Sequence, residues 1–262
     1  LREGPLLRAF LVEVSATDHV LLLLAHHIVS DAWSSGILFR DLAAAYDALA
    51  RGRAPQLPEL PVQYADFAVW QRDWLTGPEL ERQVAFWRAH LAGAPALLDL
   101  PLDRPRPRLQ SYRGSRVGHG LSPELTARLG QVASAEGVTL FMLVFAAFNV
   151  LLSRWSGQQD IVVGTPIAGR RRTELEGLVG FFANTLALRT RVDRARAFRE
   201  LLREVRATAL EAFAHQDLPF EKLVEVRKPP RNLAHSPVFQ VLFVLQNAPW
   251  DAERFADLRV SP

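Results

Sequence analysis

Between Phe141 and Trp155 the chain is apolar on almost every face of the helix its composition favours, so this segment has to lie inside a core. A buried helix needs enough chain to surround it. The 262 residues, 49% hydrophobic and 23% charged, supply that, and these proportions exclude disordered, collagen-like and coiled-coil chains. The length is large for one compact domain and small for two full-sized ones. The longest apolar run, residues 139–152, contains Asn149 and is too short to cross a bilayer, so no membrane partner is expected. Cysteine is absent, which rules out a disulfide framework and a thiolate metal site and fits a reducing, cytoplasmic setting. Net charge is +3, but Lys222 and Lys228 are the only lysines and the arginines are scattered among acids. They cluster only at Arg170–Arg172, a solvated loop or a phosphate contact. Without a basic stripe, no nucleic-acid partner is expected.

The pattern along the chain alternates strands and helices. Residues 6–14 and 18–24 read as strands of a hairpin around Ser15-Ala16-Thr17. The second is apolar on both faces, which predicts a central strand delivering Ala25, His26 and His27 at its C-terminal end. A helix is expected over 34–51 and stops at Gly52, and two aromatic-rich helices over 62–75 and 79–91 place Trp70, Trp74 and Trp87 in the core. Residues 92–112, with five of their positions taken by Gly93, Pro95, Pro101, Pro105 and Pro107, read as a linker. The expected division is therefore 1–110 and 111–262. In the second part a strand is expected near Val117, and a helix opens at Ser122 (N-cap) and Pro123. Strands follow at 160–165, 186–192 and 237–245, with an amphipathic helix over 198–213. The fold class is α/β or layered α+β.

The segment His26-His27-Ile28-Val29-Ser30-Asp31-Ala32-Trp33-Ser34 carries the strongest chemical signal. Adjacent histidines on a strand end face opposite sides, so they cannot share one task. An imidazole neutral near pH 7 can accept a proton, as a base in acyl transfer must. Asp31 could orient a histidine, cap the next helix or pair with an arginine. Two satisfied structural histidines remain the alternative. Adjacent histidines chelate one metal ion poorly, and no Gly-x-Ser-x-Gly elbow or phosphate-binding glycine loop is present.

These nine residues resemble the His-His-x-x-x-Asp-Gly motif of the condensation domains of non-ribosomal peptide synthetases, part of the chloramphenicol acetyltransferase-like superfamily. Further segments resemble that family's motifs in the same order: Tyr64-Ala65-Asp66-Phe67-Ala68-Val69-Trp70, Thr139–Met142, Ser156-Gly157-Gln158, Asp160–Arg170, Val179–Leu186, His215–Glu221 and Arg231-Asn232 with Ser236–Val241. The match spans essentially the whole chain. The family's opening segment is expected before Leu1 and its final portion after Pro262. One departure is Ala32 in place of the motif's glycine, which a backbone requiring positive φ would strain.

The resemblance implies two acetyltransferase-like lobes, each a mainly β-sheet core covered by helices, with a cleft or tunnel between them. It implies joining a donor aminoacyl or peptidyl thioester to the amine of an acceptor aminoacyl thioester. Both are tethered to phosphopantetheine arms of donor and acceptor carrier domains, beside an adenylation domain, and the domain itself binds no cofactor or metal. His27 would be catalytic; His26 and Asp31 would be structural, with Arg170 as the partner of Asp31 across the lobes. Trp33, Ser34, Asn184, Gln246 and Asn247 are candidates for lining the substrate tunnel, and Gln216, Asp217 and Glu221 for capping a helix begun at Pro219. Residues 181–186 resemble the subtype that takes an L-configured donor. An inactive relative that recruits a partner, or a stand-alone acyltransferase using coenzyme A, are the alternatives. The intact histidines argue against the first, and neighbouring domains would decide the second.

Overall fold

The structure, a computed structural model, describes residues 1–228, 232–246 and 258. The chain forms two compact units. The first takes Leu1–Trp74, Ala168–Ala183, Gln246 and Leu258, and the second Leu75–Ile167 and Asn184–Leu245. The Pro-rich stretch 92–112 thus lies inside the second unit, because the helix before it, Gly77–His90, packs with the elements that follow it rather than with those that precede it.

In the first unit, β1 (Leu7–Glu13) and β2 (His19–Ala25) pair antiparallel from Leu7 opposite Ala25 to Glu13 opposite His19. Ser15 and Asp18 close the turn: Val14 N and Ser15 N donate to Asp18 O at 2.9 and 3.1 Å, and Asp18 N donates to Ser15 Oγ at 3.1 Å. The hairpin matches the sequence pattern, but β2 is not a central strand. Among the described residues its outer edge pairs with nothing, and Leu11 and Val12 on β1 are 70% and 51% exposed. Apolar residues on both strand faces predict a covered strand only where the rest of a sheet is there to cover it. Helix α1 (Ala32–Ala50) begins two residues before the expected start, because Asp31 supplies the cap. Helix α2 (Tyr64–Trp74) follows the proline loop. Residues 168–183 return to this unit, and Leu175, Leu178 and Phe182 form a small apolar cluster with Val62 and Phe67. Trp70 and Trp74 are half-buried and stack on each other at 5.4 Å, with Arg172 over Trp70, so neither is a core residue.

The second unit holds α3 (Gly77–His90), α4 (Pro123–Ala135), α5 (Leu140–Ser156), β3 (Asp160–Ile167), β4 (Asn184–Arg191), α6 (Phe198–Ala214) and α7 (Phe220–Arg227). Ser122 caps α4 through Leu125 N at 3.2 Å, with Pro123 in the first turn, as its sequence predicts. Met142, Leu143, Phe145, Ala146, Asn149 and Leu152 of α5 enter one core with Val163, Leu186, Leu188, Leu202 and Val205. The helix is not buried all round: Leu151 and Trp155 are 46% and 66% exposed. Trp87 is the largest fully buried side chain among the described residues, its indole N–H donating to His215 O at 2.8 Å.

β3 and β4 pair antiparallel, Asp160 opposite Arg191 through Ile167 opposite Asn184. Each sheet among the described residues has two strands, and in the second unit residues of α3, α5, α6 and α7 pack with β3 and β4 in the core. Residues around Val117 form no strand: Gly114, Gly118 and Gly120 bring no side chain to pack, and Val117 is 80% exposed. The expected strand over 237–245 is a single parallel bridge at Leu242, where Gly164 N donates to Val241 O and Phe243 N to Gly164 O, both at 2.9 Å. Gly164 makes that approach possible, because a Cβ there would lie 2.4 Å from the Phe239 ring and 2.7 Å from Leu242. The variant Gly164→Ala is therefore expected to lose about 1–3 kcal/mol of stability, the usual cost of overpacking a filled site, read as a lower urea midpoint.

Candidate functional site

The site grows from the end of β2. His26 N donates to Leu6 O at 2.8 Å, extending the hairpin ladder by one bond before the chain turns through the short helix His27–Val29. That turn splits the two histidines chemically. His26 Nδ1 accepts the N–H of Ile28 at 3.1 Å, so in the neutral ring the proton resides on Nε2. His27 Nδ1 lies 2.6 Å from Ser30 O, and a carbonyl oxygen only accepts, so Nδ1 carries a proton and in the neutral ring the free lone pair is on Nε2. Both rings are exposed. The His27 and Phe181 rings meet in a T-shaped contact, their centroids 5.0 Å apart at 74°. Of the two imidazoles, then, only His27 offers an unshared, accessible base at its outer nitrogen.

Below this turn lies a buried polar knot. Asp31 is the N-cap of α1: its Oδ1 accepts Ser34 N at 2.8 Å and Ser34 Oγ at 2.7 Å. Its Oδ2 accepts Phe182 N at 3.1 Å. Arg170 Nη2 reaches Asp31 Oδ1 at 3.2 Å and Ser34 Oγ at 2.9 Å, while Nη1 donates to Leu175 O at 2.6 Å and Leu178 O at 2.8 Å. The side chains of this ion pair are 1% and 3% exposed, and the guanidinium lies 4.0 Å over the Phe182 ring. Only its Nε–H lacks a partner. Ser34 Oγ also accepts Gly180 N at 3.0 Å and faces Gly180 O at 2.9 Å. Burial works against an ionised Asp31, yet the bonds from Ser34 and Phe182 and the Arg170 charge outweigh it and hold the carboxyl below its ordinary range. Arg170 is pushed down by burial, with Asp31 opposing, and stays charged at any working pH.

The pair joins α1 to residues 168–183, and all of these belong to the first unit. It therefore braces this unit, where the segment carrying Arg170 packs with α1 and α2 after leaving β3. Ala32 begins α1 with ordinary helical geometry and is not among the residues with positive φ, so alanine is unstrained there. The expectation that Ser34 lines a tunnel does not hold: it is fully buried and its hydroxyl is spent on Asp31, Arg170 and Gly180. Trp33 is half-buried, with its indole N–H on Glu176 O at 3.0 Å.

Asn184, in the second unit, uses its whole amide internally. Nδ2 donates to Gln216 O and Leu218 O at 2.9 and 2.8 Å, and Oδ1 accepts Thr185 N and Phe220 N at 2.8 and 3.0 Å. Asn184, not Gln216, Asp217 or Glu221, therefore takes the first amide of α7, whose own cap Pro219 has no side-chain acceptor. Gln246 is exposed, and Asn247 and Arg231 lie outside the described residues. Sequence reasoning missed Phe181, Phe182 and Gly180 as neighbours of the histidine turn. Only their place in a motif some 150 residues downstream signalled them, and nothing local to His27 does.

A family model described as the condensation domain matches residues 1–260, and the chain belongs to that family. It is 47% identical over 262 residues to malpinin synthetase of Mortierella alpina, all of this chain against 3% of that protein. It is 48% identical over 247 residues to phosphinothricin tripeptide synthetase PhsC of Streptomyces viridochromogenes, covering 94% of this chain and 23% of that one. Among solved structures it resembles the X-domain from teicoplanin biosynthesis, with a TM-score of 0.88 at 36% identity over 98% of this chain and 59% of that one. It also resembles the first condensation domain of the calcium-dependent antibiotic synthetase in complex with a substrate analogue, with a TM-score of 0.70 at 26% identity over 95% of this chain and 56% of that one. The α/β fold class expected from the sequence agrees with these neighbours.

Removing the carboxylate leaves a buried guanidinium unpaired, so Asp31→Asn is expected to cost about 3–5 kcal/mol in urea unfolding, with part of the loss recovered in Asp31→Asn/Arg170→Leu. The Asp31 contribution is fully present above the unfolded carboxylate pKa of about 4 and is lost as pH falls through the lower folded value. Melting temperatures measured from pH 7 down to 2 should fall further in the parent than in Asp31→Asn.

Proposed function

We propose that this chain is the amide-forming acyltransferase domain of a non-ribosomal peptide synthetase. In this reading the acceptor aminoacyl group and the donor aminoacyl or peptidyl group arrive as thioesters on the phosphopantetheine arms of two carrier domains. An adenylation domain elsewhere in the same synthetase activates the amino acids. The observation that carries the reading is the exposed His27 ring, whose Nδ1 is held on Ser30 O so that Nε2 is the nitrogen left to meet a substrate.

The chemistry asks little of the protein beyond placement. The acceptor α-amine attacks the donor thioester carbonyl, forming the C–N bond of a tetrahedral intermediate. A proton of that nitrogen passes to His27 Nε2. The C–S bond then breaks, and the proton returns to the departing sulfur, giving an amide and a free thiol with no net gain or loss of protons. The Ser30 carbonyl steadies the imidazolium in between, because Nδ1–H donates to it in both states. A thioester is already activated, so holding amine, carbonyl and imidazole together supplies most of the acceleration. The alternative is a relative that recruits a partner without turnover. The ready base at His27 favours catalysis.

In the full-length synthetase with both carriers loaded, His27→Ala should slow dipeptidyl-thioester formation by about 10²–10⁴-fold, the range of general acid–base assistance, with the melting temperature unchanged. Turnover in His27→Ala equal to that of the parent would refute the role.

A further inference from the structure

The segment Gly180–Phe182 is held far more firmly than a surface loop needs. Gly180 is bonded through both N and O to the Ser34 hydroxyl, and Phe182 N to Asp31 Oδ2. From the other side, Tyr64 at the start of α2 donates its hydroxyl to Phe181 O at 2.9 Å. Its ring meets that of Phe182 edge-on at 5.0 Å and lies so close over Gly180 that a Cβ there would sit 2.4 Å from it. Burial and the Asp31 charge push the Tyr64 hydroxyl up, so it remains a donor throughout the working pH range. Each of these backbone groups is tied to α1 or its cap, or to α2. The side chain left over is the Phe181 ring, 37% exposed and T-shaped to the His27 imidazole at 5.0 Å and 74°.

We infer that Phe181 and Tyr64 are positioning residues for His27: Tyr64 fixes the carbonyl of Phe181, and the Phe181 ring fixes the plane of the imidazole. This rests on the acyl-transfer reading above. A single hydrogen bond at Nδ1 limits the swing of the ring about its bond to Cβ without abolishing it. A second contact, on the ring itself, removes that freedom and keeps Nε2 aimed in one direction. Neither residue touches a reacting atom. Their contribution is to the fraction of time that the base points at the amine, so it enters turnover and not affinity.

The test uses Tyr64→Phe, Phe181→Leu and Phe181→Tyr in the full-length synthetase, beside His27→Ala. Tyr64→Phe and Phe181→Leu should each lower kcat by on the order of tenfold with KM for the loaded acceptor carrier within about twofold, since misaligning a placed group costs rate. Phe181→Tyr, which keeps the ring, should restore most of the rate. Independently of activity, the imidazole ¹⁵N resonances of His27 should show a protonated Nδ1 and bare Nε2 in the parent, and averaging of the two in Phe181→Leu. Unchanged kcat in Tyr64→Phe and Phe181→Leu with parental His27 resonances would overturn the inference. If His27→Ala itself keeps full turnover, the acyl-transfer reading fails instead, and the resonances alone then decide whether the ring is held. Should Phe181→Leu not fold, Tyr64→Phe, which removes one oxygen and no packing, still decides.

Discussion

The site depends on one buried charge pair. Asp31 and Arg170 are separated by 139 residues, and their side chains are almost completely withdrawn from water. Withdrawing two ions is costly unless every remaining lone pair and proton is used. Here all but the Arg170 Nε–H are used: the carboxylate also caps α1 and takes the Phe182 amide, while the guanidinium collects the Leu175 and Leu178 carbonyls. The pair therefore organises backbone from three places at once: the start of α1, the loop after β3 and the turn bearing Phe181. His27 precedes the cap by four residues, so the orientation of its ring inherits the rigidity of the knot.

Ser34 shows how tightly this is balanced. A serine hydroxyl has one proton and two lone pairs. Its oxygen receives Gly180 N–H and an Arg170 N–H, and its proton is shared between Asp31 and the Gly180 carbonyl. Threonine would add a methyl group to a side chain with no exposed surface, and alanine would leave a glycine amide without an acceptor. The two histidines illustrate a related economy. Each uses Nδ1 on a local backbone group, one as acceptor and one as donor, and this alone gives them opposite tautomers.

Local features were legible in the sequence. Asp31 three residues before Ser34, ahead of a periodic apolar run, signals a capped helix. Ser122-Pro123 does the same for α4, and Ser15 to Asp18 marks a hairpin turn. What needed partners distant in sequence was legible only through resemblance. Arg170 opposite Asp31 is such a case, and Ser34 as an anchor was not foreseen at all. Strand readings failed where a side-chain pattern had no neighbour to pair with: around Val117, at 237–245 and on the outer edge of β2. β-structure is a property of two segments, and a one-dimensional pattern names only one. The tautomers could not be read in advance either, since they follow from a turn geometry set by Ser30.

Position 32 has a wider consequence. Relatives described by the His-His-x-x-x-Asp-Gly pattern carry glycine where this chain has Ala32, yet the residue simply opens a helix and its backbone angle is ordinary. Alanine has less backbone freedom to lose than glycine, so the exchange does not weaken the first turn beneath the anchor. A search that insists on glycine at that place would discard sequences whose working parts are whole. The informative letters are those whose atoms are committed: the second histidine, the aspartate, and the serine three residues beyond it.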